Sequence, residues 1–159
     1  TEYEKMQRGE VYLATDPSLL RELHACQDKC WEYNRLCPTD ATLAQQAVLN
    51  RSVQLADLEP LAAERGAKLV NQPFHCDYGK HIFVGKRFFS NFNFTVLDEA
   101  RVSIGDDCFI GPNVSIYTAC HSTDPVERNT RREWAEPVTI GDNCWLGGGV
   151  IVCPGVKIG

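Results

Sequence analysis

The sequence predicts a mainly β fold: a parallel β-helix of hexapeptide repeats preceded by an N-terminal helical cap. Three observations predict it. Apolar residues recur every six positions from about residue 82 onward, and glycine recurs just after them. The first sixty residues show instead the 3.6-residue period of helices. A period of six belongs neither to a helix nor to an ordinary strand. It marks a solenoid in which each hexad is one short strand and each coil stacks on the next.

The helical region comes first. Asp16 and Pro17 form a start signal, a capping side chain followed by a ring whose fixed φ suits the first helical position. Leu19, Leu23, Cys26, Cys30 and Tyr33 then recur at spacings of four and three, which places them on one helix face. Pro38 ends this helix, and Thr39-Asp40 opens a second that runs through ATLAQQAVL towards Leu58. Residues 1–60 are expected to form the cap and 61–81 a connecting segment. Cys26 and Cys30 lie one turn apart. With no second close pair and no neighbouring histidine on that face, they read as core rather than as metal ligands.

The repeats justify the solenoid position by position. Position one of the hexad falls at Val84, Ser90 and Val96, then at Ile104, Ile110 and Ile116, and again at Ile140, Leu146, Val152 and Ile158. Ser90 alone is not aliphatic. Position two is glycine at 85, 105, 111, 141, 147 and 159. Position five, from Phe88 and Phe94 through Ala100, Cys108, Val114, Cys120, Cys144, Val150 and Val156, is uncharged throughout. This slot turns Cys108, Cys120 and Cys144 inward as small interior side chains. Residues 82–159 are thus expected to form roughly three coils.

The rhythm breaks after His121. Continuing the frame would place Ser122, Arg128 and Trp134 at position one and Arg132 at position five, and two arginines are not buried unpaired. Residues 122–139 therefore read as an excursion, and long loops inside compact folds usually serve function. A histidine at the mouth of such a loop suits a general base, since its ordinary pKa lies near 6.5.

Bulk composition narrows the class. The length of 159 residues fits one domain, and the net charge of -5 lacks the basic excess of a nucleic-acid binder. The longest run free of charged residues and histidine, Asn143 to Val156, holds four glycines and is shorter than the ~20 apolar residues of a membrane span. Glu2, Glu4, Lys5, Arg8 and Glu10 interrupt any signal-peptide core. Eight cysteines in 159 residues fall below the ~8–10% of a disulfide scaffold, so free thiols in a reducing cytoplasm are expected.

The run YTACHSTDPVERN, Tyr117 to Asn129, resembles the segment around the catalytic histidine of the maltose O-acetyltransferases and their galactoside and nodulation-factor relatives. GEVY from Gly9, CDYG from Cys76, FSNFNF from Phe89, VLD from Val96, PVTIGDNCWLG from Pro137 and PGVKIG from Pro154 extend the resemblance over nearly the whole chain. It implies a left-handed β-helix, a homotrimer with active sites between subunits, and acetyl transfer from acetyl-CoA to a sugar hydroxyl. His121 matches the general base. Asn91 matches an acceptor-contacting asparagine in S-N-F-N, though by itself it reads as a turn residue at a coil corner. Asp98 and Glu99 occupy the place where the galactoside enzymes carry two aspartates, and Glu99 departs from that pattern. Asp77 matches an acceptor-side position that is serine in the galactoside branch. Asp16 corresponds to a sugar-contacting aspartate on the cap or is only the N-cap; both readings stand. Gly148, in LGGG, matches the residue whose backbone N–H faces the thioester. Trp145 packs beside the acceptor or CoA, or is plain packing.

Two rival classes remain. A zinc enzyme on the same solenoid, as in the γ-class carbonic anhydrases, needs three histidine ligands. Only His24, His75, His81 and His121 exist, no two of them five apart, and no metal is expected. The other rival is a catalytically silent or structural hexapeptide protein, against which the intact His121 segment speaks. The chain stops at Ile158-Gly159, two residues into a fresh hexad, so the solenoid is expected to be incomplete there.

Overall fold

The computed structural model describes residues 1–35, 54–55 and 70–159. The chain opens with α1 (Glu2–Gln7), closed at its start by a capping box between Thr1 and Glu4. β1 (Tyr12–Leu13) and α2 (Pro17–Arg35) follow. α2 begins at the Asp16-Pro17 signal and buries Leu19, Cys26, Cys30 and Tyr33. Pro38 and the second expected helix lie outside the described residues, except for part of its tail. Among the described residues no helix is long and apolar enough to cross a membrane.

Short strands then succeed one another: β2 (Gln54–Leu55), β3 (Phe74–Cys76), β4 (Ile82–Val84), β5 (Phe89–Ser90), β6 (Phe94–Leu97), β7 (Val102–Ile104), β8 (Phe109–Ile110) and β9 (Ser115–Tyr117). β10 (Ala119–Cys120), α3 (Pro125–Arg128) and β11 (Arg132–Ala135) interrupt them. β12 (Val138–Ile140), β13 (Trp145–Leu146), β14 (Ile151–Val152) and β15 (Lys157–Ile158) complete the series. The strands stack as three parallel sheets, in the orders β15-β12-β7-β4-β2, β13-β8-β5 and β14-β9-β6-β3. Ile140 pairs with Ile158, eighteen residues on, so three hexads make one coil.

The solenoid starts earlier than residue 82. β2, the Val70–Ser90 bridge and β3 already supply one strand position on each sheet, so part of the expected connector 61–81, and Gln54–Leu55 of the expected cap, belong to the first coil. Its rhythm escapes the six-residue frame for a local reason. Cys76 pairs with Val96, and Val96 with Ile116, each twenty residues apart, so the corner after this sheet carries two extra residues. The same lengthening lets Val102 take the inward slot beside Ala100, in register with Ile82 and Val138.

The position-one residues from Val84 to Val152 are all buried, and of position five Phe88, Phe94, Cys108 and Val114 line the same core, with Cys144, Val150 and Val156 packed against it half-exposed. Ser90 is fully buried, and its hydroxyl meets no partner among the described residues. Position four turns the corners outside the lengthened one: Arg87, Asn93, Asp107, Asn113 and Asn143 hold positive φ there, as do Gly149 and Gly155. Asparagine, aspartate and glycine tolerate that left-handed conformation best. The position-two glycines answer a different demand. A Cβ on Gly111 would meet the Gly148 nitrogen of the next coil at 2.6 Å.

The excursion leaves the solenoid as reasoned, with Arg128 and Arg132 both exposed. It closes sooner than expected, because Val138 is fully buried and already in register with Val102. One inward assignment fails. Cys120 is not an interior side chain: β10 peels away to pair antiparallel with β11, Cys120 opposite Trp134, and the thiol is half-buried. β11 pairs on its other side with β1, Tyr12 opposite Glu133.

Candidate active site

The lengthened corner of the solenoid collects the ionisable groups. Each coil delivers a longer turn there: Asp77-Tyr78 after β3, Asp98-Glu99 after β6, and the run Thr118 to His121 after β9. The excursion begins at the last of these. β1, β11 and β10 form its antiparallel sheet, which carries Tyr12 and Glu133 to the mouth of the turn.

His121 is 57% exposed, and its Nδ1 stands 3.3 Å from Oε2 of Glu133, which is 12% exposed. The buried Tyr12 hydroxyl donates to the other oxygen, Oε1 of Glu133. Burial, then the carboxylate it serves, pushes the Tyr12 pKa upward, so the phenol stays a donor. The chain of groups Tyr12, Glu133, His121 engages the imidazole at Nδ1, while the side chain stays more than half exposed. His121 and Glu133 line a cleft of about 390 Å³ with Ala14, Thr15, Arg128 and Arg131. Neither Tyr12 nor Glu133 was singled out from sequence. Tyr12 lies in the GEVY motif, but Glu133 has no local signal, since its role comes only from pairing across the excursion.

The earlier turns of the same corner hold an acid pair, Asp77 half-buried and Glu99 buried. Glu99 is 7% exposed and shares a hydrogen bond with Asp77. Burial first, then Asp77, pushes the Glu99 carboxyl up to about 9, and burial raises Asp77 as well. The pair is thereby biased towards sharing one proton. The Thr118 hydroxyl lies 3.1 Å from Glu99 Oε2.

The remaining expected residues separate. Asp98 is fully buried, and its oxygens accept from the backbone N–H groups of Tyr78 and His81. Burial raises its pKa to about 6. Held in this way, Asp98 ties the 78–81 turn. Asp16 accepts from the Ser18 N–H at 2.9 Å and from its hydroxyl, next to Ala14 and Thr15 of the cleft. Asn91 accepts from the Phe92 N–H at 2.8 Å at a coil corner. Trp145 is 79% exposed on β13, beside Phe109 on β8. Gly148 is exposed where its coil stacks on Pro112. None of these five lines the His121 cleft within one chain. Cys120, the neighbour of His121, has its pKa raised by burial, the wrong direction for a nucleophilic thiolate.

Comparison with known proteins bears on this geometry. The profile of the maltose acetyltransferase hexapeptide capping motif matches residues 5–51. That of the hexapeptide repeat of succinyl-transferase matches 101–119 and 137–159, so its gap falls on the excursion. Nodulation protein L of Rhizobium meliloti is 42% identical over 156 residues, 98% of this chain and 80% of its own. A maltose O-acetyltransferase structure from Clostridium difficile superposes with a TM-score of 0.87 at 36% identity, covering 99% of this chain and 79% of that one. A galactoside acetyltransferase in complex with coenzyme A gives 0.88 at 26% identity, covering 100% and 75%.

Proposed function

The chain belongs to the hexapeptide-repeat family of the maltose and galactoside O-acetyltransferases, and we propose that it moves acetyl from acetyl-CoA to a sugar hydroxyl with His121 as general base. One observation carries the reading: an exposed histidine at the broken repeat, backed by Glu133 and through it by Tyr12.

His121 takes the acceptor's proton on Nε2 as the hydroxyl oxygen attacks the thioester carbonyl. The imidazolium that forms faces the Glu133 carboxylate, which offsets its charge. The oxyanion of the tetrahedral intermediate meets the Gly148 N–H, a donor worth on the order of 2.7–4 kcal/mol where such groups have been removed. When the C–S bond breaks, His121 returns its proton to the leaving CoA thiolate. Asp77 and Glu99, which share one proton, offer their remaining carboxyl oxygens as acceptors to sugar hydroxyls. Asn91 and Asp16 add polar contacts, and Trp145 packs beside the acceptor or CoA.

Gly148, Trp145 and Asn91 are not among the residues lining the His121 cleft of a single chain, which supports sites completed by a neighbouring copy. The exposed rings of Phe109 and Trp145 suit such an interface, and we take the assembly to be a homotrimer. We also take the solenoid to wind left-handed under a helical cap. The free thiols described suit a cytoplasmic setting.

The test is a pair of variants. His121→Ala should lower acetyl transfer to maltose, glucose or a galactoside by about 10²–10⁴ with little change in melting temperature. Cys120→Ala should keep most activity. An active His121→Ala enzyme, or an inactive but folded Cys120→Ala one, overturns the assignment.

A further inference from the structure

Three thiols that the sequence spreads over fifty residues meet at one point of the fold. Cys26 and Cys30 face inward from successive turns of α2, and Cys76 faces them from β3. The Cys76 sulfur lies 3.5 Å from that of Cys26 and 3.7 Å from that of Cys30. All three sulfurs fall within 4.8 Å of one another, and all three residues are buried. The face of α2 by itself offers only two thiols, and β3 supplies a third.

We infer that Cys26, Cys30 and Cys76 bind a thiophilic divalent cation, zinc, that ties α2 to the first coil. Zinc–sulfur bonds of about 2.3 Å in a tetrahedron set the sulfurs about 3.8 Å apart. The two observed separations come close to that edge without any rearrangement. Plain packing has no need of sulfur: neighbouring inward positions on the same coil hold Val70 and Phe74. A cleft of about 440 Å³, lined by both Cys30 and Cys76 with His75 and Asp77 on its wall, gives the ion an entry path and room for a fourth ligand. Each ligating thiol gives its proton to the buffer, so the ion is held by thiolates. Such a donor set selects zinc over magnesium or calcium.

The full chain, purified without chelator and kept reduced, tests this directly. Mass spectrometry of its metals should find about one zinc per chain. After zinc removal, added Co²⁺ should give a near-ultraviolet sulfur-to-cobalt band and the visible absorption of a tetrahedral site. Cys76→Ser should lose both signals, and Cys108→Ser, buried elsewhere in the solenoid, should keep both. Should Cys76→Ser fail to fold, alkylation of the wild-type chain decides: zinc should protect Cys26, Cys30 and Cys76. The inference is overturned by a zinc-free, cobalt-silent wild type, by copper in place of zinc, by protection of other cysteines, or by metal retained in folded Cys76→Ser. None of these readouts needs acetyl transfer, so the result stands apart from the proposed reaction.

Discussion

Replacing Glu133 by glutamine keeps the shape of the side chain and removes the charge that faces His121. Glutamine still offers an oxygen to the Tyr12 hydroxyl, so the β1–β11 sheet should hold. What it loses is the attraction that arises once His121 has taken a proton. Two unit charges near 4 Å attract by about 1 kcal/mol in water and about 4 kcal/mol at an effective dielectric of 20. The observed separation is 3.3 Å, with His121 57% exposed and Glu133 12% exposed, which places the pair between those limits. After solvent screening is allowed for, about 1.5–2.5 kcal/mol remains, roughly 10- to 70-fold in rate. The interaction exists only after proton transfer begins, so kcat should fall while KM stays. Glu133→Asp, which restores the charge at a longer reach, should recover part of the loss. The assay is release of the CoA thiol at saturating acetyl-CoA, with melting temperature as the control. A folded Glu133→Gln enzyme whose kcat stays within about threefold of wild type would refute the reasoning.

The acid pair and the glycine stack give further tests. Glu99 has its pKa raised on folding, so the stability tied to its proton is present below about 4.5 and lost as pH climbs towards about 9. The melting temperature should therefore fall across that window, and Glu99→Gln should flatten the fall; equal slopes in both proteins would remove the shared proton. Gly111→Ala would drive a Cβ to 2.6 Å from the Gly148 nitrogen, whereas a Cβ on Gly147 meets nothing within 4 Å. The first should cost about 1–3 kcal/mol and shift the loop that carries Gly148, and the second should cost little. Thermal melts of the two that coincide would show that the coils do not constrain each other there.

The solenoid was legible because its rule is local. A strand two or three residues long with one inward side chain recurs every six residues, so Ile104, Ile110, Ile116 and their kin announce it without any knowledge of what they touch. His121 was legible for the same reason, as the point where the rule stops. The first coil was not, since the two extra residues at its corner put Phe74 and Cys76 out of step with the frame. Cys120 kept the frame on paper and left it in space, because antiparallel pairing with β11 outweighed one more hexad. The working contacts of the site lie further still from sequence. Glu133 meets His121 twelve residues away and Tyr12 across 121, Asp77 meets Glu99, and Cys76 meets two thiols of α2 some fifty residues earlier. A periodic pattern determines a backbone because each repeat solves the same packing problem alone. Which side chains then face one another depends on where coils and loops return in space, and that only the tertiary structure decided.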